Sequence, residues 1–268
     1  MPASGHASKW GLRSFAVGYL ALLLLIPLGM IFYRAFEHGL GTAFDAVTTP
    51  DALHAFYLTI LVTLIAVPFN TIFGVGCALL LVRTEFRGKA LINAIIDLPF
   101  AVSPVVIGLS LLLVYSETGW LGDWLGANGV QVIFALPGIV LATIFVTLPF
   151  VVREVVPVLH EIGDEQEQAA RTLGANWWQT FWRVTFPAIR WGVGYGVVIG
   201  TARALGEFGA VAVVSGRIAG QTQTATIWIQ EAFSRYDYTG AYTGAVVLAV
   251  LAVSILVAMN VFKRKEAA

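Results

Sequence analysis

Within stretches otherwise apolar, the chain places Arg203 and Glu207 four residues apart in Ala202-Arg-Ala-Leu-Gly-Glu-Phe-Gly-Ala210. It also places Asp97 and Ser103 in Asp97-Leu-Pro-Phe-Ala-Val-Ser-Pro104. A charge at the centre of a lipid-embedded helix costs about 2.5–3.5 kcal/mol on insertion scales, so such residues face protein or a wet passage. At helical spacing Arg203 and Glu207 share a face, and small residues extend that stripe through Gly192, Gly196 and Gly200. Either the two charges only neutralise each other, or Arg203 lends positive potential to an anion passage while Glu207 keeps the affinity low enough for release. Asp97, with Ala101, Pro104 and Gly108 on a comparable stripe, repels anions and suits packing or a gate better than anion contact. The Ser103 hydroxyl can donate to an oxyanion or back-bond to its own helix.

A second group of residues lies in a polar insert, Asp164 to Pro187. Asp164 followed by Glu167 has the spacing of a helix N-cap with a capping-box partner. Ala170 and Leu173 lie one turn apart, and Gly174 supplies the backbone freedom that ends a helix. Asn176 caps a second short helix running to about Thr185, where Pro187 stops it. On that helix Trp177 with Phe181, and Trp178 with Trp182, fall at i, i+4 spacing and form a broad aromatic face. Such a face either lies in the lipid headgroup layer or receives another protein. Small Ala169 and Ala170 beside a glycine hinge favour close approach by a protein.

The elements that position these groups are membrane helices. The chain is 58% hydrophobic and only 12% charged, with mean hydropathy +0.80, which excludes an ordinary soluble domain. A crossing needs roughly 20 apolar residues. Six stretches qualify, near 14–36, 55–82, 91–115, 131–152, 191–215 and 239–262. Proline interrupts most of them, at Pro27, Pro68, Pro99, Pro104, Pro137 and Pro149, which predicts helices kinked around a shared passage. Lys9, Arg13, Arg83, Arg87, Lys89, Arg153, Arg171, Arg183, Arg190, Lys263, Arg264 and Lys265 all fall on one side. That side is cytoplasmic by the preference of basic residues, so both termini lie inside. The opposite segments hold Glu37, Asp45, Asp51, Glu117 and Asp123; the third outer segment dissents, with Arg217 and Arg235 offset by Glu231 and Asp237.

Several chemistries are excluded. The apolar run from Phe15 to Tyr33 exceeds a signal-peptide core and reads as an uncleaved first helix. Cys77 has no partner for a disulfide or redox pair, and His6, His38, His54 and His160 lack metal-ligand spacing. Zero net charge with no clustered basic surface argues against nucleic acid. No Gly-rich phosphate loop with Lys and Ser/Thr occurs, so the chain has no ATPase site of its own. Neither a catalytic constellation nor the inverted repeats of an ion-coupled carrier are visible.

The insert resembles the EAA loop of ABC importer permeases: E-A-A, three residues, Gly, nine residues, I-x-L-P. Gln168-Ala169-Ala170, Gly174 and Val184-Thr185-Phe186-Pro187 stand in that register, departing at Gln168 and Phe186. The segments Asp97–Leu109 and Ala202–Ala210 and the run Phe150–Val155 resemble the sulfate/molybdate group of type I permeases, over about residues 12–262. The resemblance implies an all-α polytopic fold with six transmembrane helices and a cytoplasmic coupling helix. It further implies a cytoplasmic segment 1–13, a first helix and outer loop 14–53, a transport domain 54–262 with its coupling loop at 154–190, and a tail 263–268. Gln168, Ala169, Ala170, Leu173, Gly174, Trp177, Trp178 and Phe181 would then dock an ATPase. The implied setting is a bacterial plasma membrane, surrounded by lipid. The implied partners are a second permease, two cytoplasmic ATP-binding subunits that hold ATP and Mg, and an extracytoplasmic sulfate-binding protein. Sulfate, with thiosulfate, is the implied cargo; molybdate or tungstate is the alternative, and an ion-coupled anion carrier is the reading from another class.

Replacing Gly174 with Pro is expected to leave membrane insertion intact but to uncouple ATP use from uptake. Coupled uptake at the normal rate in that variant would count against a docking role for the insert.

Overall fold

The computed structural model describes residues 13–266, with side chains described to residue 258. Lys9 and His6, most of the expected N-terminal segment, and the side chains of Lys263, Arg264 and Lys265 lie outside what is described. Every element is helical: α1 Arg13–Phe36, α2 Leu40–Val47, α3 Pro50–Arg83, α4 Lys89–Ala101, α5 Pro104–Tyr115, α6 Gly122–Ala127, α7 Leu136–Ile162, α8 Glu165–Thr172, α9 Trp177–Thr180, α10 Phe186–Leu205, α11 Gly209–Val214, α12 Ala225–Ser234 and α13 Tyr238–Glu266.

The centre of the bundle is the pair α3 and α7, with α10 packed across both. Thr49 caps α3, accepting from Ala52 N at 3.3 Å, and Pro50 follows at the position where a missing N–H costs least. Asn70, fully enclosed in mid-helix, donates its amide to Ile144 O at 2.9 Å and Thr147 Oγ1 at 2.8 Å on α7. Small residues let the backbones approach. A Cβ at Gly74 would lie 2.9 Å from Val151 Cβ, and one at Gly196 would lie 2.8 Å from Val151 Cα. Two apolar cores result. One surrounds Val62, Ile139 and Val211, and the other surrounds Leu81, Val155 and Ile189.

Among the described residues, four helices are long and apolar enough to cross a membrane: α1, α3, α7 and α13 to Ala258. The expected third span is not one helix. It bends by 112° between α4 and α5, because Val102 and Ser103 are extended ahead of Pro104. The stripe from Asp97 to Gly108 is therefore split. The expected fifth span, 191–215, is also interrupted, at residues 206–208 between α10 and α11. Its glycine-rich α10, which carries Arg190 and Arg203, is not among the helices that pass on apolarity; it packs against α3, α7 and α13.

Pro187 does not stop the second short helix. The chain stays helical from Trp177 to Leu205 through a widened π turn at Phe181–Thr185, where Phe186 N bonds back to Phe181 O. The same device, at Ala21–Leu25, precedes Pro27 in α1. A π turn relieves the clash that the proline ring makes with the carbonyl four residues back. The helices also overrun the expected loop 154–190. α7 extends to Ile162 and α10 begins at Phe186, leaving 163–185 as the connection between the two long helices.

Gly196→Val should destabilise the bundle by about 1–3 kcal/mol, as overpacking does. Gly194→Val, which meets nothing within 4 Å, should cost much less; equal losses in thermal unfolding in detergent would contradict the close α7–α10 approach.

Candidate functional sites: a docking face and a charged helix break

The insert forms a folded platform. α8 ends in a Schellman turn, with Gly174 at φ +86° donating to Arg171 O at 3.0 Å and Ala175 N donating to Ala170 O at 3.0 Å. Asn176 then caps α9 reciprocally: Gln179 N donates to Asn176 Oδ1 at 2.8 Å, and Asn176 N donates to Gln179 Oε1 at 3.0 Å. The aromatic rings meet at the expected spacing. Trp177 stacks on Phe181 with centroids 5.8 Å apart, and Trp178 meets Trp182 edge-on at 5.5 Å.

The expected capping box at the start of α8 does not form. Asp164 makes no cap bond and instead accepts from Gln168 Nε2 at 2.7 Å. Glu167 turns inward and is 6% exposed. It accepts from Arg83 Nε at 3.1 Å, Arg83 NH2 at 3.1 Å and Thr185 Oγ1 at 2.9 Å. Arg83 also donates to Leu159 O at 3.1 Å and to Gly163 O at 2.6 Å. With Glu167 drawn in, α8 turns Gln168 and Ala169 outward and leaves Ala170 half-buried. Leu173, beyond the last turn, is 88% exposed, so it does not share Ala170's environment. Trp177 and Trp178 are also largely exposed, as is Trp182. Phe181 departs from this group: it is half-buried against the core of α3, α7 and α10, on the inward side with Thr180 and Thr185.

The second site lies where α10 breaks. Glu207 is no longer helical, so the depth expected for it on a continuous span does not apply. It still pairs with Arg203 at 2.5 Å, its side chain 1% exposed against 33% for Arg203. Glu207 Oε1 accepts from Ala210 N at 3.0 Å and so caps the first turn of α11, while Glu207 O accepts from Thr226 Oγ1 at 2.7 Å. The start of α11 abuts the start of α5, because a Cβ at Gly209 would lie 2.9 Å from Pro104 Cβ. That brings Ser103, which is exposed and makes no cap bond, into the region of the break. A cavity of about 10 Å³ beside Glu207, lined also by Thr59, Thr143 and Thr224, has room for about one water.

Asp97 belongs elsewhere. Its carboxylate takes both arms of the Arg153 fork, Nε at 2.7 Å and NH2 more closely, and Arg153 NH2 reaches Asn93 Oδ1 at 3.3 Å. The pair joins α4 to α7 and spends Asp97's charge on a structural bond. Arg83, Arg153 and Glu167 carry this architecture although the sequence offered them only as topology markers or a cap. Their partners lie 84 and 56 residues away, beyond the reach of local spacing.

The whole fold is shared with the solved bacterial ABC transporter that imports the acidic polysaccharide alginate, with TM-score 0.80 at 18% identity, covering 97% of this chain and 96% of that one. Among sequence relatives, the sulfate transport system permease protein CysW of Synechocystis sp. is 50% identical, over 96% of this chain and 93% of its own. CysW of Escherichia coli is 47% identical, over 92% and 85%. The sulfate transport permease CysT of Synechococcus elongatus is 41% identical, over 94% and 90%. Residues 70–267 match the family described as binding-protein-dependent transport system inner membrane component, and with a helical bundle broken at two charged or polar points and a capped platform between its long helices, the chain belongs to that family of ABC importer permeases.

Proposed function

We propose that this chain is the CysW-like half of a permease that imports sulfate, and thiosulfate with it, driven by ATP bound with Mg in partner subunits. The reading is carried by 47–50% identity, along nearly the whole chain, to relatives described as sulfate transport permeases. A second, CysT-like permease completes the membrane unit, because relatives of both kinds match over nine-tenths of this chain. Two ATP-binding subunits sit on the cytoplasmic side and a sulfate-binding protein on the other, with both termini inside.

The exposed set Gln168, Ala169, Leu173, Trp177 and Trp178, with Trp182 beside it, forms the ATPase-docking face, and Gly174 sets the angle between its two helices. Ala170 and Phe181 support that face from behind. ATP-driven closure of the ATPases would draw the two permeases' platforms together and open the bundle outward; hydrolysis would reset it. The cavity beside Glu207 is too small for a tetrahedral oxyanion. In this reading the passage runs between the two permeases, with Arg203 presenting its exposed third to the anion and Ser103 offering a hydroxyl. Glu207 balances Arg203 so that the anion is not retained.

Reconstituted with these partners, the complex should show ATPase activity stimulated by sulfate-loaded binding protein, and much less by molybdate-loaded binding protein. Sulfate uptake by this chain alone in liposomes would overturn the reading in favour of an ion-coupled carrier. Arg203→Gln should lower uptake about tenfold, the scale of one charged contact. If adding Glu207→Gln restored uptake, Arg203 would be only a neutraliser of Glu207.

A further inference from the structure

The docking face itself makes few contacts with the bundle, yet any force applied to it must reach the long helices. Glu167 is where the contacts converge. One nearly enclosed carboxylate joins four parts of the chain: α8, which carries it; the last residue of α3, Arg83; the π turn, through Thr185; and, through Arg83, the carbonyls of Leu159 and Gly163 at the end of α7. Side-chain exposure is 8% for Glu167 and 18% for Arg83, so water scarcely competes for these bonds. Gln168, next in sequence, faces outward and is occupied by Asp164.

The other end of α3 matters equally. Thr59 accepts from Ala225 N at 2.8 Å, and Ala225 adjoins Thr226, whose hydroxyl bonds to the Glu207 carbonyl at the helix break. Between Thr59 and Arg83, α3 is uninterrupted for about 36 Å at 1.5 Å per residue. Midway, Asn70 ties it to α7. One closely packed helix pair thus touches the docking platform at one end and the charged break at the other.

We propose, resting on the importer reading above, that Glu167 is a positioning residue for coupling. Through Arg83 it clamps the platform to the α3–α7 pair, so that movement imposed on the docking face is carried to the Glu207 break. Glu167 makes no contact with the ATPase in this scheme. Its effect is on how much transport each ATP yields.

The test is the full complex in proteoliposomes, measuring sulfate taken up per ATP hydrolysed. Glu167→Gln, which keeps the shape and a hydrogen bond but removes the charge, should still assemble with its partners. The uptake-to-ATP ratio should fall about tenfold, within the usual range of coupling between sites. Thr185→Val, which deletes one hydroxyl bond to the Glu167 carboxylate and leaves the ion pair, should lower the same ratio by about two- to fivefold. This milder variant keeps the proposal open to refutation if Glu167→Gln fails to assemble. A wild-type ratio in an assembled Glu167→Gln complex, or in Thr185→Val where only that variant assembles, would overturn the clamp. A wild-type complex whose ATPase ignored the loaded binding protein would instead overturn the importer reading.

Discussion

Hydrocarbon offers no hydrogen bonds, so a helix can break inside a membrane only where other parts of the protein supply the lost ones. The break at residues 206–208 meets that condition. Glu207 caps α11, Thr226 takes up the Glu207 carbonyl, and Thr59 accepts from the first residue of α12. Each donor or acceptor comes from a helix whose position the apolar packing has already set. The order of dependence runs from close packing of α3, α7 and α10, through these few polar bonds, to a charged pair whose carboxylate is fully enclosed and whose guanidinium is one-third exposed. Losing one partner of a buried ion pair typically costs about 3–5 kcal/mol, a large share of the stability of an ordinary domain.

The same logic governs the platform between α7 and α10. A short capped helix cannot hold its own orientation in water, because fewer than a dozen residues do not sustain a helix alone. α8 and α9 are held by their caps, by the Schellman turn at Gly174 and by the inward bonds of Glu167. What remains exposed is unusually apolar for a surface: Leu173, Trp177, Trp178 and Trp182 together. An apolar patch fixed on a rigid mount is suited to recognition, since little ordering is left to be done on binding.

How much of this was readable beforehand depends on the range of the interactions. The Asn176 cap, the Gly174 turn and the i, i+4 rings are local, and their residue types announce them. The helical breaks were partly announced by Val-Ser-Pro104 and Gly-Glu-Phe208, but apolarity continues across both, so each read as one span. Pro187 misled for the opposite reason: a π turn, which has no composition of its own, absorbed it. The inward turn of Glu167 and the pairing of Asp97 with Arg153 were not readable at all. Each depends on a partner many helices' worth of sequence away, brought near only by packing.

α1 stands apart from this scheme. None of its most apolar window is buried within the chain; it is fastened near one end, where Ala35 is enclosed and its carbonyl accepts from Thr243 at 3.3 Å. Side chains along that apolar window therefore meet lipid or a neighbouring subunit in place of the core, so this helix is tethered to the bundle at one end without being built into it.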